Sequence, residues 1–143
     1  MTDKEALYRA VLMDHYKNPK NKIIESNTEG YEVREGLNPS CGDEVTVFLK
    51  WDGDILEDIK FSGSGCSICM ASASVMTNEL SGLTKNEVIK KISKFFSIIK
   101  EGVEENVDEF EDGQVFSGVS KFPPRIKCAF LSWEIVMKII EEK

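Results

Sequence analysis

The stretch "EVTVFLKWDGDILEDIKFS", residues 44–62, decides the fold class. Val45, Val47, Leu49 and Trp51 alternate with polar or mixed neighbours, the two-residue period of a strand with one buried face. Asp52-Gly53 supplies a residue that tolerates positive φ where a tight hairpin must turn. Ile55, Ile59 and Phe61 then share one face of a returning strand. Residues 44–62 therefore read as an antiparallel hairpin, and a short strand over 31–34 is expected to join it.

Outward from the hairpin the period becomes helical. Thr2 and Glu5 form a capping-box pattern. Leu7, Tyr8, Val11, Leu12 and Tyr16 follow at helical spacing, so a helix over 3–16 is expected, stopped by Asn18-Pro19. On the other side, "SGSG" at 62–65 ends the strand with glycines that free the backbone. A helix over 66–80 follows. It is rich in Ala and Ser, small enough for another backbone to approach closely. Thr84 and Glu87 cap a further helix reaching about residue 100, with Val88, Ile92, Phe95, Phe96 and Ile99 as its apolar positions. Pro123-Pro124 opens a last helix in its first turn, whose core stripe is Ala129, Phe130, Trp133, Val136, Met137 and Ile140. Tyr8, Tyr16 and Trp133 read as core side chains. Strands followed by helices predict an α+β fold, a three-stranded antiparallel sheet packed against several helices. One domain over residues 1–143 is expected, without repeats or linkers.

Composition narrows the function. The 143 residues suit one domain, and a hydrophobic fraction of 41% supports a core that needs no metal or disulfide staple. The net charge of -7 disfavours nucleic acid or an anionic membrane as main partner, and favours a basic protein partner or none. Residues 101–112 carry seven acids and no base: Glu101, Glu104, Glu105, Asp108, Glu109, Glu111 and Asp112. They read either as a solvated segment or as a docking surface for a basic partner. No apolar run approaches the roughly 20 residues of a membrane span, and the acid-bearing helical start does not read as a signal peptide. A cytoplasmic location is expected. There, four cysteines point to metal binding or catalysis rather than disulfides.

Cys41, Cys66 and Cys128 all fall at element ends, where side chains can converge at one edge of a sheet. Helix N-termini favour the thiolate, the form that metal binding and sulfur chemistry both require. Cys41 and Asp43 are two apart, so in extended backbone they point the same way. With Cys66 and Cys128 they complete a tetrahedral set that zinc accepts. Closed structural zinc sites use Cys and His, so Asp43 reads as the exchangeable ligand of an open site. Three readings of Cys69 compete: a small buried residue, one half of a Cys66-x-x-Cys69 redox pair, or an auxiliary ligand or sulfur acceptor. His15, the single histidine, reads as a surface or C-cap side chain. Arg125 and Lys127 are either solvated charges or groups that activate Cys128 and hold an anionic sulfur intermediate.

Four stretches together resemble the U-type iron–sulfur cluster assembly proteins, the IscU, NifU N-domain and SufU group. They are "DHYKNPKN" from Asp14, "NPSCGDEV" from Asn38, "SGSGCSICMASAS" from Ser62 and "PPRIKCAFLSW" from Pro123, in the family's order over nearly the whole chain. The long interval from Cys66 to Cys128, with its acidic segment, is similar to the SufU branch. So is Lys127, where the IscU branch has a histidine. The resemblance implies a zinc site of Cys41, Asp43, Cys66 and Cys128. It also implies a zinc-dependent sulfurtransferase that accepts persulfide sulfur on Cys41 from a PLP-dependent cysteine desulfurase of the SufS kind. That sulfur would pass toward a downstream cluster scaffold or apo-protein. Two alternatives stand beside it. One is a scaffold on which Cys41, Cys66 and Cys128 hold a transient [2Fe–2S] cluster. The other is a structural zinc module used only for protein binding.

Overall fold

A computed structural model describes residues 2–24, 28–102 and 109–142. Strands β1 (Glu32–Asn38), β2 (Asp43–Asp52) and β3 (Ile55–Ser64) form an antiparallel sheet in the order β1-β2-β3. Helix α1 (Asp3–Lys17) precedes the sheet. Helices α2 (Ser67–Leu80) and α3 (Lys85–Glu101), a 3₁₀ segment (Gly113–Lys121) and helix α4 (Pro123–Glu141) follow it. This is the α+β architecture expected. Both expected capping boxes are present, Thr2 with Glu5 and Thr84 with Glu87. Among the described residues no helix is long and apolar enough to cross a membrane.

Two details of the sheet differ from the sequence reading. Ile55 is exposed and Leu56 is buried, while Ile59 and Phe61 remain inward. The pairing slips between Lys50 and Trp51: Trp51 meets Leu56 but Lys50 meets Asp58, so Glu57 is an extra residue on β3. Such a bulge reverses the parity of a strand, which puts Leu56 on the face that Ile59 resumes. The second difference is β1, which reaches Asn38 rather than Arg34. Its charges and Gly36 hide it, yet Gly36 is what the packing needs. A Cβ there would lie 2.8 Å from Ile135, so the glycine lets α4 rest directly on the strand. With β1 this long, residues 39–42 become the tip of a β1–β2 hairpin. Beyond β3, the segment at Lys22 covers the sheet edge: Phe61 exchanges backbone hydrogen bonds with Asn21 and Ile23 at 3.1 and 2.8 Å.

Helix α2 is the centre of the molecule. Cys69 through Thr77 are all buried, and α1, α4 and β3 pack around them. Its alanines and serines are what allow that crowding. Ser72 donates to the Ala129 carbonyl of α4 and accepts from Trp133 Nε1 at 2.9 Å. Trp133 stacks on Phe95 of α3 with centroids 3.8 Å apart. Trp133 is thus core, as expected, whereas Tyr8 is half-buried and Tyr16 is 42% exposed. His15 reverses the expectation made for it: it is the one buried residue of α1. Its Nδ1 meets Ser74 Oγ and its Nε2 meets Asp112 Oδ2, both at 2.7 Å. Consecutive helical residues point about 100° apart, so turning His15 inward turns Tyr16 out.

Glu104, Glu105 and Asp108 of the acidic segment lie outside the described residues. The described acids that follow them are engaged within the chain. Glu109 holds Lys94 at 2.6 Å, and Asp112 holds His15. The backbone N–H groups of Glu111, Asp112 and Gly113 donate to the buried Glu79 carboxylate at 2.8–3.0 Å, with Lys91 at 3.2 Å from it.

Candidate metal centre

The β1–β2 hairpin closes on the pair Asn38–Asp43. Within its tip, Cys41 N–H donates to Asn38 O at 3.2 Å and Gly42 N–H to Pro39 O at 3.3 Å. Gly42 takes φ +68, a left-handed conformation that suits glycine. This turn leaves Cys41 half-buried at the tip and Asp43 buried at the start of β2. Across the sheet, Gly63 at φ +130 would bring a Cβ to 2.1 Å from Glu44 O, so a glycine is required there. At Gly65 a Cβ would fall 2.5 Å from Asp43 Oδ1. The glycines of 62–65 therefore shape a cradle for the aspartate as well as ending the strand.

Cys66 is the N-cap of α2: its Sγ accepts from Cys69 N–H at 3.4 Å. Its own N–H donates to Asp43 Oδ1 at 2.9 Å. Cys128 lies in the second turn of α4, buried, after a start set by prolines in the first helical positions. Buried Asn38 completes the arrangement, donating through Nδ2 to Asp43 Oδ2 at 3.2 Å and to Cys128 Sγ at 3.4 Å.

The ligand atoms of Cys41, Asp43 and Cys128 all lie within 4.8 Å of one another. Zinc–sulfur bonds of about 2.3 Å in a tetrahedron would set such atoms about 3.7 Å apart. The spacing and the soft, anionic donor set therefore fit that ion. Cys66 is outside this closest group: its sulfur caps α2, while its charge is among the causes that act on Cys128. Of the sequence-derived set, Cys41, Asp43 and Cys128 thus meet at one place, with Cys66 tied to Asp43 through its backbone N–H. Burial first, then hydrogen-bonding contacts with Cys41, Asp43 and Cys66, push the Cys128 thiol well above its ordinary pKa. A cation at the centre would reverse that balance and favour the thiolate.

The remaining candidates separate. Cys69 is wholly buried, and its thiol is pushed up first by burial and then by the charges of Asp43, Cys66 and Cys41. Its contribution to the centre is its backbone N–H. Arg125 is exposed and near the thiols: the charges of Cys66, then Cys128, raise its pKa further. Lys127 instead lines a groove with Leu37, Phe96 and Phe130. His15 is held by Ser74 and Asp112. Two residues of the centre escaped the sequence reading. Asn38 entered that reading only as the start of "NPSCGDEV", and Gly65 only as a strand end. The available signal was position, since Asn38 pairs with Asp43 once β1 is drawn to its full length.

Residues 7–129 match the family model described as the NifU-like N terminal domain. The zinc-dependent sulfurtransferase SufU of Bacillus subtilis (strain 168) is 47% identical over 135 residues, covering 94% of this chain and 89% of that one. The iron-sulfur cluster assembly scaffold protein IscU of Streptococcus pyogenes serotype M1 is 38% identical over 136 residues, covering 94% and 83%. Among solved structures, one from Fervidobacterium islandicum AW-1, described as a scaffold protein for the SUF system, superposes with a TM-score of 0.75. It shares 34% identity over 90% of this chain and 92% of that one.

Proposed function

The chain belongs to the NifU-like N-terminal domain family, and from that premise we propose that it is a zinc-dependent sulfurtransferase of iron–sulfur cluster assembly. It accepts persulfide sulfur on Cys41 from a PLP-dependent cysteine desulfurase and passes it toward a downstream scaffold or apo-protein. The whole of residues 1–143 serves as one assembly domain, acting in the cytoplasm. One observation carries the reading: Cys41, Asp43 and Cys128 present their ligand atoms within 4.8 Å of one another, with Cys41 at a hairpin tip. The 47% identity to a sulfurtransferase over nearly the whole chain supports it.

Cys41, Asp43, Cys66 and Cys128 would hold the zinc. When bound, it keeps the thiols deprotonated and shields them from oxidation. The residues of the chain do the rest. The hairpin tip offers Cys41 to a docked donor, because Gly42 has open space around it. The Cys41 thiolate attacks the outer sulfur of the donor's persulfide. A new sulfur–sulfur bond forms on Cys41, the donor's sulfur–sulfur bond breaks, and the donor cysteine departs as thiolate with no net redox change. Arg125, near the thiols, stabilises the anionic persulfide product. Asp43, expected from sequence to be the exchangeable ligand, is buried and held at both oxygens, so it and Cys128 remain in place while Cys41 reacts.

Mass spectrometry after incubation with desulfurase and cysteine tests this. The Cys41 peptide should gain the mass of one sulfur. A folded wild-type protein that gains none, or gains it equally with Cys41→Ala, contradicts the assignment. The scaffold reading is favoured by one observation, the 38% identity to a protein named for that role. Its cargo would be a [2Fe–2S] cluster on Cys41, Cys66 and Cys128. Anaerobic reconstitution giving a cluster that transfers intact to an apo-protein distinguishes it.

A further inference from the structure

We infer that Asn38 is a positioning residue of the metal centre: its side-chain amide holds the Asp43 carboxylate and the Cys128 sulfur together, and controls metal retention through Asp43. The inference deepens the function proposed above and rests on it in taking zinc as the ion.

Asn38 is the last residue of β1 and is 6% exposed. An amide nitrogen carries two N–H donors. Here one is directed to Asp43 Oδ2 at 3.2 Å and the other to Cys128 Sγ at 3.4 Å. Only the nitrogen side of the amide can face a carboxylate, so the chemistry sets its orientation. An asparagine opening a turn commonly bonds the turn's own backbone with its side chain. In this hairpin the Asn38 carbonyl closes the turn on Cys41 N–H instead, and the side chain is free to point inward.

The result is a carboxylate tied at both oxygens. Cys66 N–H holds Oδ1 from the start of α2, and Asn38 holds Oδ2 from the end of β1. Gly65 leaves no spare volume on the third side. Each oxygen keeps a lone pair for an ion, and little orientational freedom remains to be lost on binding. Asn38 also links two ligands distant in sequence: Asp43, five positions on, and Cys128, 90 positions on. A ligand at the hairpin tip can then leave and return while Asp43 and Cys128 keep their register. A neighbour that orients a ligand in this way is worth about 10–100-fold in metal affinity.

The test is the rate at which the zinc-loaded full chain gives up zinc to a chromogenic chelator. Asn38→Ala, Asn38→Asp and Asn38→Ser are each made in the wild type and in Asp43→Ala. Asn38→Ala should speed release about 10–100-fold. Asn38→Asp, which keeps the shape but loses both donors, should speed it at least as much. Asn38→Ser, with one donor, should fall between. In the Asp43→Ala background Asn38→Ala should add much less, only what its bond to Cys128 contributes, the coupling expected of a residue acting chiefly through another. The cobalt-substituted Asn38→Ala protein should also show a shifted ligand-field band at an unchanged fold. Release at the wild-type rate, or the same acceleration in both backgrounds, overturns the inference. If Asn38→Ala does not fold, Asn38→Ser decides by the same criterion. Wild-type protein that holds zinc but accepts no sulfur sinks the proposed function and leaves this measurement intact.

Discussion

At the scale of the residue, the centre depends on atoms that are absent as much as on those present. Gly65 is needed because any Cβ would press on Asp43 Oδ1 at 2.5 Å. Gly65→Ala should therefore displace the carboxylate and destabilise the fold by about 1–3 kcal/mol. Zinc content and the denaturation midpoint should fall together. A variant with full zinc content and an unchanged midpoint would show that the cradle is not tight. The cysteines divide in the same concrete way. Cys69 is wholly buried with a thiol pushed upward, so it resists the thiolate chemistry that half-buried Cys41 is placed to perform. Cys69→Ala should cost about 1 kcal/mol of stability and leave sulfur acceptance intact. In the zinc-free native protein Cys69, like Cys128, should be alkylated only after the half-buried Cys41 and Cys66. Early alkylation of Cys69, or loss of sulfur acceptance with it, would restore the redox-pair reading.

At the scale of the element, one side chain joins three pieces of the chain. His15 links α1 to α2 through Ser74 and to the entrance of the 3₁₀ segment through Asp112. His15→Ala removes one buried and one partly buried hydrogen bond and should destabilise the protein by about 1–3 kcal/mol. An unaltered denaturant midpoint would contradict that role. The helix caps carry a pH dependence. The Thr84 backbone and side chain hold Glu87 below its ordinary value of 4.5. A depressed carboxylate contributes stability that is fully present above its unfolded value and lost as pH falls through its folded value. Amide protection in the first turn of α3 should accordingly weaken on acidification below 4.5. Protection that is constant down to unfolding argues against it. What can be read from sequence divides along the same lines. The β2–β3 hairpin is legible because alternating Val45, Val47 and Leu49 report burial directly, and the helices are legible through caps and spacing. The bulge at Glu57 is not, since an extra residue exists only relative to a partner strand. β1 hides behind its charges and Gly36, whose reason lies in Ile135 of a distant helix. His15 is hidden because a lone histidine has no period. The candidate metal ligands are legible because thiol and carboxylate types at element ends have few other uses. Asn38 and Gly65 are not, since their roles arise from contacts across the fold.

At the scale of the whole molecule, the core does not need the metal. Buried apolar side chains of β2, β3, α2, α3 and α4 form one cluster that extends far beyond the cysteines. Chelation should lower the melting temperature only by the binding linkage and leave a cooperative, folded protein by circular dichroism. Unfolding on chelation would instead favour a structural zinc module. A stable scaffold with a metal centre set at one hairpin tip is what a sulfur acceptor requires. The most direct measurement of that claim is the rate of alanine production by the organism's own cysteine desulfurase, with and without the zinc-loaded protein. Strong stimulation by the wild type, abolished in Cys41→Ala and retained in Cys69→Ala, is the predicted result. No stimulation by folded, zinc-loaded wild-type protein would contradict it.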